Sequence, residues 1–458
     1  MAARKAMPLP TLQYNVVKTI WLAMTDPIGL AEKGKSVYGD IFRLKLPNPG
    51  AHITLLHSPE IISLVSSSLR WSNTNSVNTT KEPRFPMVKC APNGLLFTEG
   101  SFHRSNKEQV RRHFEPGSLD HYAQVLCQTF SRESIGWAGK SGTVLKDHIN
   151  LLLLKALTEG LLGFSASSDE ILLISRLLSR ILRLQKNYFV FGKLAYLDPL
   201  SVTFHSDRRK LRGLIVRKIE QQTFNPHHTT LVGRFREEYG ATYSRSSHQF
   251  ATLVDNCITF LVAGVDTVST AMVWAVRILV EHPQIISKIQ NEAKENSFCG
   301  EYSHTAYREL GYSRSVLLET LRLFPSFPQM TKQVQEEFIA NGYLVPAKEW
   351  ITVPIVNIHR DPRWYPNPEI FNPERWRDNT WGHDRSYSFI PFGFGIHRCV
   401  GWELALIEGS ILLALLFSNF EITKHGHSEA KLPTELKYNI NLSLACADKA
   451  HLSINRRT

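Results

Sequence analysis

Residues 247–282 constrain the fold more than any other stretch. The pattern there is helical and the longest in the chain, with apolar residues on several faces rather than along one stripe. A helix that is apolar all round belongs inside a protein. This one is therefore expected to run through a core with other helices packed around it. The flanking sequence agrees. From about 101 to 295 the pattern is mostly helical, with Pro283 opening a further helix that reaches about Glu295. Another helix spans about 308–323 and stops before Pro325, and one more runs from about 400 to 417. Strand signals are short: 41–46 and 52–56 around the turn residues Pro47, Asn48, Pro49 and Gly50, then segments near 333–356 and the end of the chain. Ser58, Pro59 and Glu60 read as a helix start. Residues 71–95 and 361–395 read as irregular. The expected fold class is mainly α with a small β portion, and no linker divides it cleanly.

Six cysteines, at 90, 127, 257, 299, 399 and 446, form no Cys-x-x-Cys pair, which argues against a cysteine-rich zinc or iron–sulfur site. They are too few in 458 residues for a disulfide scaffold. The net charge of +12 is scattered, without an arginine-rich arm or an aromatic-basic platform, so no nucleic acid is expected as partner. An acidic protein or an anionic membrane surface suits it better. No uninterrupted run reaches the roughly 18 apolar residues of a membrane-spanning helix. Residues 1–37 stand apart from 38–458. Arg4 and Lys5 precede Pro8 and Pro10, then come Val16, Val17, Ile20, Trp21 and Met24, with no acid before Asp26. This start reads as a peripheral membrane contact, a weak organellar targeting signal, or a first helix packed on the domain.

One of the six cysteines has unusual surroundings. Around Cys399 stand Phe392, Gly393, Gly395, His397, Arg398 and Gly401. The glycines let backbone approach something flat and close. Phe392 can pack beside the sulfur, His397 and Arg398 bring donors, and a helix start just after Cys399 favours a thiolate over a thiol.

The stretch 392–401 resembles the signature of the cytochrome P450 family, Phe-x-x-Gly-x-(Arg or His)-x-Cys-x-Gly, and the likeness runs from about Tyr38 to the end in the manner of eukaryotic-type members of specialised metabolism. The resemblance implies a fold enclosing haem b between the long central helix and the cysteine loop, with Cys399 as the ligand of iron. Glu319 and Arg322, three apart on one helix face, would by themselves be an ordinary ion pair. By resemblance they form, with Arg375 of the segment Pro373 to Trp376, a buried network that holds the cysteine loop. Trp376 stands where the family more often has Phe, a change expected to be tolerated. In Ala263-Gly-Val-Asp-Thr267, Gly264 costs the helix about 1 kcal/mol against Ala. It reads as a packing notch or, by resemblance, as room for dioxygen. The resemblance makes Asp266 and Thr267 the proton-relaying catalytic pair; Val268 departs from the family pattern, and Ser269 follows. The haem propionates would be met by His103, Lys107, Lys332 and His397, the first three departing from the family's usual Trp, Arg and Arg. Lys does not replace Arg at a bidentate site.

The expected activity is monooxygenation: one oxygen atom of dioxygen enters an apolar small molecule. Electrons would come from NADPH through a separate flavoprotein reductase or ferredoxin. Residues 83–97, Phe260, Leu261 and 325–330 would line the substrate. A haem-thiolate isomerase, dehydratase or peroxide-using enzyme is one alternative, and a non-enzymatic haem or ligand-binding protein is another. The expected location is intracellular, at the endoplasmic reticulum membrane or in the cytoplasm ahead of the mitochondrion.

Overall fold

The computed structural model describes residues 7–12, 16–45, 52–66, 71–73, 86–191, 197–221, 229–240, 244–296, 306–377, 387–424, 438–440, 443–446 and 451–457. The turn expected at 47–50, Cys299 and residues 83–85 lie outside them. Chain contacts define two compact units. One comprises Met1–Val77, Glu319–Cys399 and Leu432–Glu435; the other comprises Asn78–Leu318, Val400–Lys431 and Leu436–Thr458.

The first unit is built on a five-stranded sheet. Its strands lie in the order Ile41–Lys45, His52–Leu56, Trp350–Val353, Met330–Val334, Trp71–Asn73. The first two pair antiparallel, Ile41 opposite Leu56, whereas His52–Leu56 and Trp350–Val353 run parallel. Ile41, Leu56, Val334, Ile351 and Val353 supply a core that also takes in Ile390 and Phe394 of the cysteine segment. The start of the chain forms helices Val16–Thr25 and Pro27–Tyr38. The second is capped by Asp26, whose carboxylate accepts from the Gly29 amide at 2.9 Å. Leu12, Leu30 and Ala31 pack with Phe42, Leu44 and Leu55 in a smaller cluster.

The second unit is helical around His248–Leu279, a 32-residue helix opened by Ser247, whose side chain accepts from the Phe250 amide. Trp274 is fully buried on it and its indole N–H reaches the Leu444 carbonyl at 2.7 Å. His248–Leu279 and Trp402–Asn419 are both long and apolar enough by composition to cross a membrane. No such stretch was expected from the sequence, because Asp255, Asp266 and Glu408 break the apolar runs there. About 72% of the most apolar window of each is buried within the protein, as core helices require.

Three local expectations change. The stretch 71–95 is not wholly irregular: it holds strand Trp71–Asn73, helix Pro86–Cys90 and the 3₁₀ turn Leu95–Phe97. Elements of three to five residues are too short to show a period. The helical region 101–295 is interrupted by strand Lys140–Val144, which exists because it pairs with His451–Arg456, over 300 residues away. The helix after Cys399 begins at Trp402 with Gly401 as its N-cap, two residues later than expected.

Candidate functional site

In the first unit, Glu319 and Arg322 are both completely buried on helix Gly311–Leu323. A buried charge must be met by opposite charge and by hydrogen bonds on every valence, and this pair is. Glu319 accepts from Arg322 Nε at 2.9 Å and Nη2 at 2.8 Å, from the Asn372 amide at 2.9 Å, from Arg375 Nε at 3.3 Å and from Trp376 Nε1 at 2.9 Å. The remaining guanidinium N–H groups of Arg322 go to the carbonyls of His359 (2.9 Å), Pro368 (2.8 Å) and Ile370 (3.2 Å). Arg375 also donates to the Asn367 carbonyl at 2.9 Å. Glu319, Arg322 and Arg375 are thus brought together, and Trp376 joins them. Its indole N–H is a donor that phenylalanine lacks, so the substitution adds a bond rather than merely fitting.

The chain then leads through Tyr365, whose hydroxyl donates to the Ser388 carbonyl at 3.1 Å, to Ile390 and the cysteine loop. Gly393 N–H closes a turn on the Ile390 carbonyl at 3.0 Å, Arg398 N–H one on Gly395 at 3.0 Å, and Cys399 N–H reaches the Phe392 carbonyl at 2.9 Å. Gly393 and Gly395 have φ of 73° and 68°, backbone that disfavours any side chain. A Cβ on Gly395 would lie 3.1 Å from the Ser66 carbonyl oxygen. The result is a pinned loop with an exposed sulfur: Cys399 is exposed, while Cys90, Cys127 and Cys257 are buried and burial pushes the thiols of Cys90 and Cys127 up to about 12. Phe392 and His397 are half-buried in the loop. Lys332, on strand Met330–Val334, is only 2% exposed, with its ammonium 4.6 Å from the centre of the Phe394 ring.

In the second unit, His103 and Lys107 lie one turn apart on helix Gly100–Arg111. His103 is buried, with Nδ1 3.2 Å from the Leu95 carbonyl, and Lys107 is half-buried. Gly401 packs against Phe114, whose ring a Cβ would meet at 3.3 Å. On the long helix, Asp266 and Thr267 hold different partners. Thr267 Oγ1 donates to the Ala263 carbonyl at 2.7 Å, the preceding turn of its own helix. Asp266 accepts from Lys146 Nζ at 2.8 Å on Oδ1 and from Ser443 Oγ at 2.8 Å on Oδ2. Lys146 also reaches Thr270 Oγ1 at 3.0 Å. The missing side chain of Gly264 leaves room for Leu157, which a Cβ there would meet at 2.9 Å, so the notch serves helix packing. Lys146, Ser443 and His359 fall in no motif identified in the sequence and come into place through the fold, whereas Asn372 caps the turn Pro373–Trp376 that carries Arg375.

In this mainly helical chain a saturated buried ion network and two left-handed glycines hold one exposed cysteine in a fixed loop, the build of a protein that presents a cysteine side chain for use. Comparison with known proteins makes this specific. The family profile described as Cytochrome P450 matches residues 7–444, and the chain belongs to that family. Abscisic acid 8'-hydroxylase 1 of Oryza sativa subsp. japonica is 26% identical over 435 residues, 92% of this chain and 86% of that protein. The bifunctional cytochrome P450/NADPH–P450 reductase 2 of Bacillus subtilis is 35% identical over 181 residues, 39% of this chain but 17% of that longer protein. A retinoic acid-bound cyanobacterial CYP120A1 structure superposes with a TM-score of 0.80 at 18% identity, covering 99% of this chain and all of that one, which establishes the fold. The protein is a haem monooxygenase, an oxidoreductase that takes electrons from a redox partner.

Proposed function

We propose that Cys399 ligates the iron of haem b and that the enzyme inserts one atom of dioxygen into an apolar small molecule of specialised metabolism. The observation that carries this reading is the loop itself: backbone bonds and left-handed glycines fix residues 390–399 while leaving the Cys399 sulfur exposed. When bound, haem supplies oxygen activation, which a thiolate ligand promotes. The donor set fits such a group. Lys332 places an ammonium in the interior beside the Phe394 ring, and an ammonium suits a carboxylate ligand. His397, His103 and Lys107 are the other donors for the propionates. Phe392 packs beside the sulfur, Gly395 and Gly401 keep backbone close, and Glu319, Arg322 and Arg375 brace the loop. Asp266 and Thr267 handle protons. Residues 83–97, Phe260, Leu261 and 325–330 are the ones assigned to the apolar substrate by the family resemblance, and Phe260 and Leu261 are both buried on the long helix.

Electrons come from NADPH through a separate flavoprotein reductase or ferredoxin, a reading supported by the reductase named in the Bacillus subtilis relative. The hydroxylase named in the rice relative supports hydroxylation. Peripheral contact with an intracellular membrane is part of the reading, supported by the exposed apolar side chains of Met7, Trp21 and Val37 near the start of the chain.

The test is the carbon monoxide difference spectrum of the reduced protein. The native chain is expected to give the thiolate-type band and Cys399→Ser to lose it; an unchanged band in Cys399→Ser defeats the assignment. Oxygen and reductant consumed in step with product distinguish monooxygenation from isomerase, dehydratase or peroxide chemistry. Turnover lost in Thr267→Ala with haem retained separates an enzyme from a binding protein.

A further inference from the structure

We propose that His359 is a positioning residue for the cysteine loop, acting through the backbone of Ile390; the proposal rests on Cys399 being the haem ligand. His359 ends the short helix Ile355–His359 and is completely buried. Both ring nitrogens face backbone. The Ile390 amide donates to Nε2 at 2.9 Å, and Nδ1 lies 3.2 Å from the Arg322 carbonyl. An amide N–H can only donate, so Nε2 carries no proton. The single ring proton therefore sits on Nδ1 and is given to Arg322. The imidazole is thus a neutral bridge of fixed tautomer between the end of the buried charge network and the start of the loop.

The backbone beyond Ile390 couples this bridge to the sulfur. The Ile390 carbonyl accepts the Gly393 N–H at 3.0 Å, and the Phe392 carbonyl inside that turn accepts the Cys399 N–H at 2.9 Å. Four residues, His359, Ile390, Phe392 and Cys399, are therefore linked by hydrogen bonds and short backbone spans, with no exposed member before the cysteine. The anchor is braced at its other end, because Arg322 Nη1 donates to the His359 carbonyl at 2.9 Å. Aromatic packing supports the same junction: Phe389 lies with its ring 5.2 Å from His359 and 4.4 Å from Trp376. Charged groups around the ring are cationic. Burial comes first, then Arg322 and Arg360, in holding the imidazole neutral, down to about 3. The bond to Ile390 consequently persists throughout the neutral range.

Two substitutions separate the two ends of the bridge. In His359→Gln the amide oxygen takes the place of Nε2 and still accepts from Ile390. In His359→Asn the amide nitrogen takes the place of Nδ1 and still donates to Arg322, but nothing reaches Ile390. Each loses one bond, so a purely structural role predicts similar behaviour. The measurements are amide hydrogen exchange at Ile390 in the full-length haem-loaded protein and the carbon monoxide difference spectrum of the same samples. His359→Asn is expected to raise Ile390 exchange about tenfold and to shift part of the spectrum from the thiolate-type to the non-thiolate band, whereas His359→Gln keeps both close to native. Equal behaviour of the two variants, or faster exchange with an intact thiolate band, overturns the proposal. Should His359→Asn not accumulate as folded protein, the native chain decides: Ile390 must exchange at least about tenfold more slowly than an unbonded amide, and fast exchange there overturns it. Loss of the thiolate assignment itself shows instead as an unchanged band in Cys399→Ser, whatever the exchange rates are.

Discussion

Lys146 Nζ lies 2.8 Å from Asp266 Oδ1, joining the first turn of helix Leu145–Ala156 to the middle of the long helix. Both side chains are about a third exposed, at 29% and 32%, so water reaches the pair. A pair at this exposure adds under about 1 kcal/mol to stability. Its consequence is geometric. With Ser443 on the other oxygen, Lys146 fixes the orientation of the carboxylate that stands next to Thr267. Lys146→Met is expected to leave the denaturation midpoint and haem content nearly unchanged. It should raise the peroxide released per product formed by about threefold or more, a small part of what positioned proton transfer contributes. Lys146→Arg should restore most of the coupling. Oxygen, peroxide and product measured in one assay decide it; equal coupling in native and Lys146→Met removes Lys146 from the proton path.

Trp376 is the least anticipated member of the buried network. Its indole N–H lies 2.9 Å from Glu319 Oε2 and the side chain is 4% exposed. Trp376→Phe keeps an aromatic ring against Phe389 but removes a bond to a buried carboxylate. The expected loss is about 1.5–3 kcal/mol, the range for a hydrogen bond to a charged group. Chemical denaturation measures it; a loss below about 0.5 kcal/mol, ordinary for a surface change, shows that the four remaining donors compensate.

The extent to which this architecture can be read from residues depends on separation along the chain. The long helix is legible because its apolar positions repeat locally, and the cysteine loop because its glycines, histidine and sulfur fall within ten residues. The Glu319–Arg322 spacing places both on one helix face. The groups that bring them inside are remote: the Asn372 amide and the Trp376 indole are more than fifty residues on. The partners of Asp266 lie 120 residues before it and 177 after it, and no local pattern announces either. Asp266 and Thr267, adjacent in sequence, therefore bond to separate groups. An aspartate on a helix surface bonds whatever the neighbouring elements present, and a helical threonine bonds its own preceding turn.

His57 sets an acid limit on stability. It is 1% exposed, stacked on Phe42 at 5.7 Å between ring centres, and neither ring nitrogen has a partner among the described residues. Burial, then Lys35, pushes its imidazole down to about 3. The unfolded chain takes up a proton near 6.5 that the folded site refuses, so His57 lowers stability progressively as pH falls from about 6.5 toward 3. His57→Phe removes two unbonded polar atoms and this titration. The variant is expected to equal or exceed native stability at pH 7 and to lead by a growing margin at pH 5. Thermal midpoints at the two pH values test it; a variant that loses more at pH 5 than at pH 7 excludes this role.

Glu408 acts on the alkaline side. It is buried on helix Trp402–Asn419 and accepts a hydrogen bond from the hydroxyl of buried Tyr122. Burial outweighs that bond and raises the carboxyl from 4.5 to about 8. The folded protein thus holds a proton that the unfolded chain has released. The contribution is complete below about 4.5 and is lost as pH rises through about 8. In the window from 6.5 to 9 the buried histidines His57, His113 and His359, whose imidazoles burial pushes down, are neutral whether folded or unfolded for most of the range, leaving Glu408 to dominate. Glu408→Gln keeps an acceptor for Tyr122 and cannot ionise. Native protein is expected to lose on the order of a few kcal/mol relative to Glu408→Gln between pH 6.5 and 9, the gap continuing to narrow below pH 6.5 until about 4.5. Parallel curves across that window would show that Glu408 is already ionised in the folded protein.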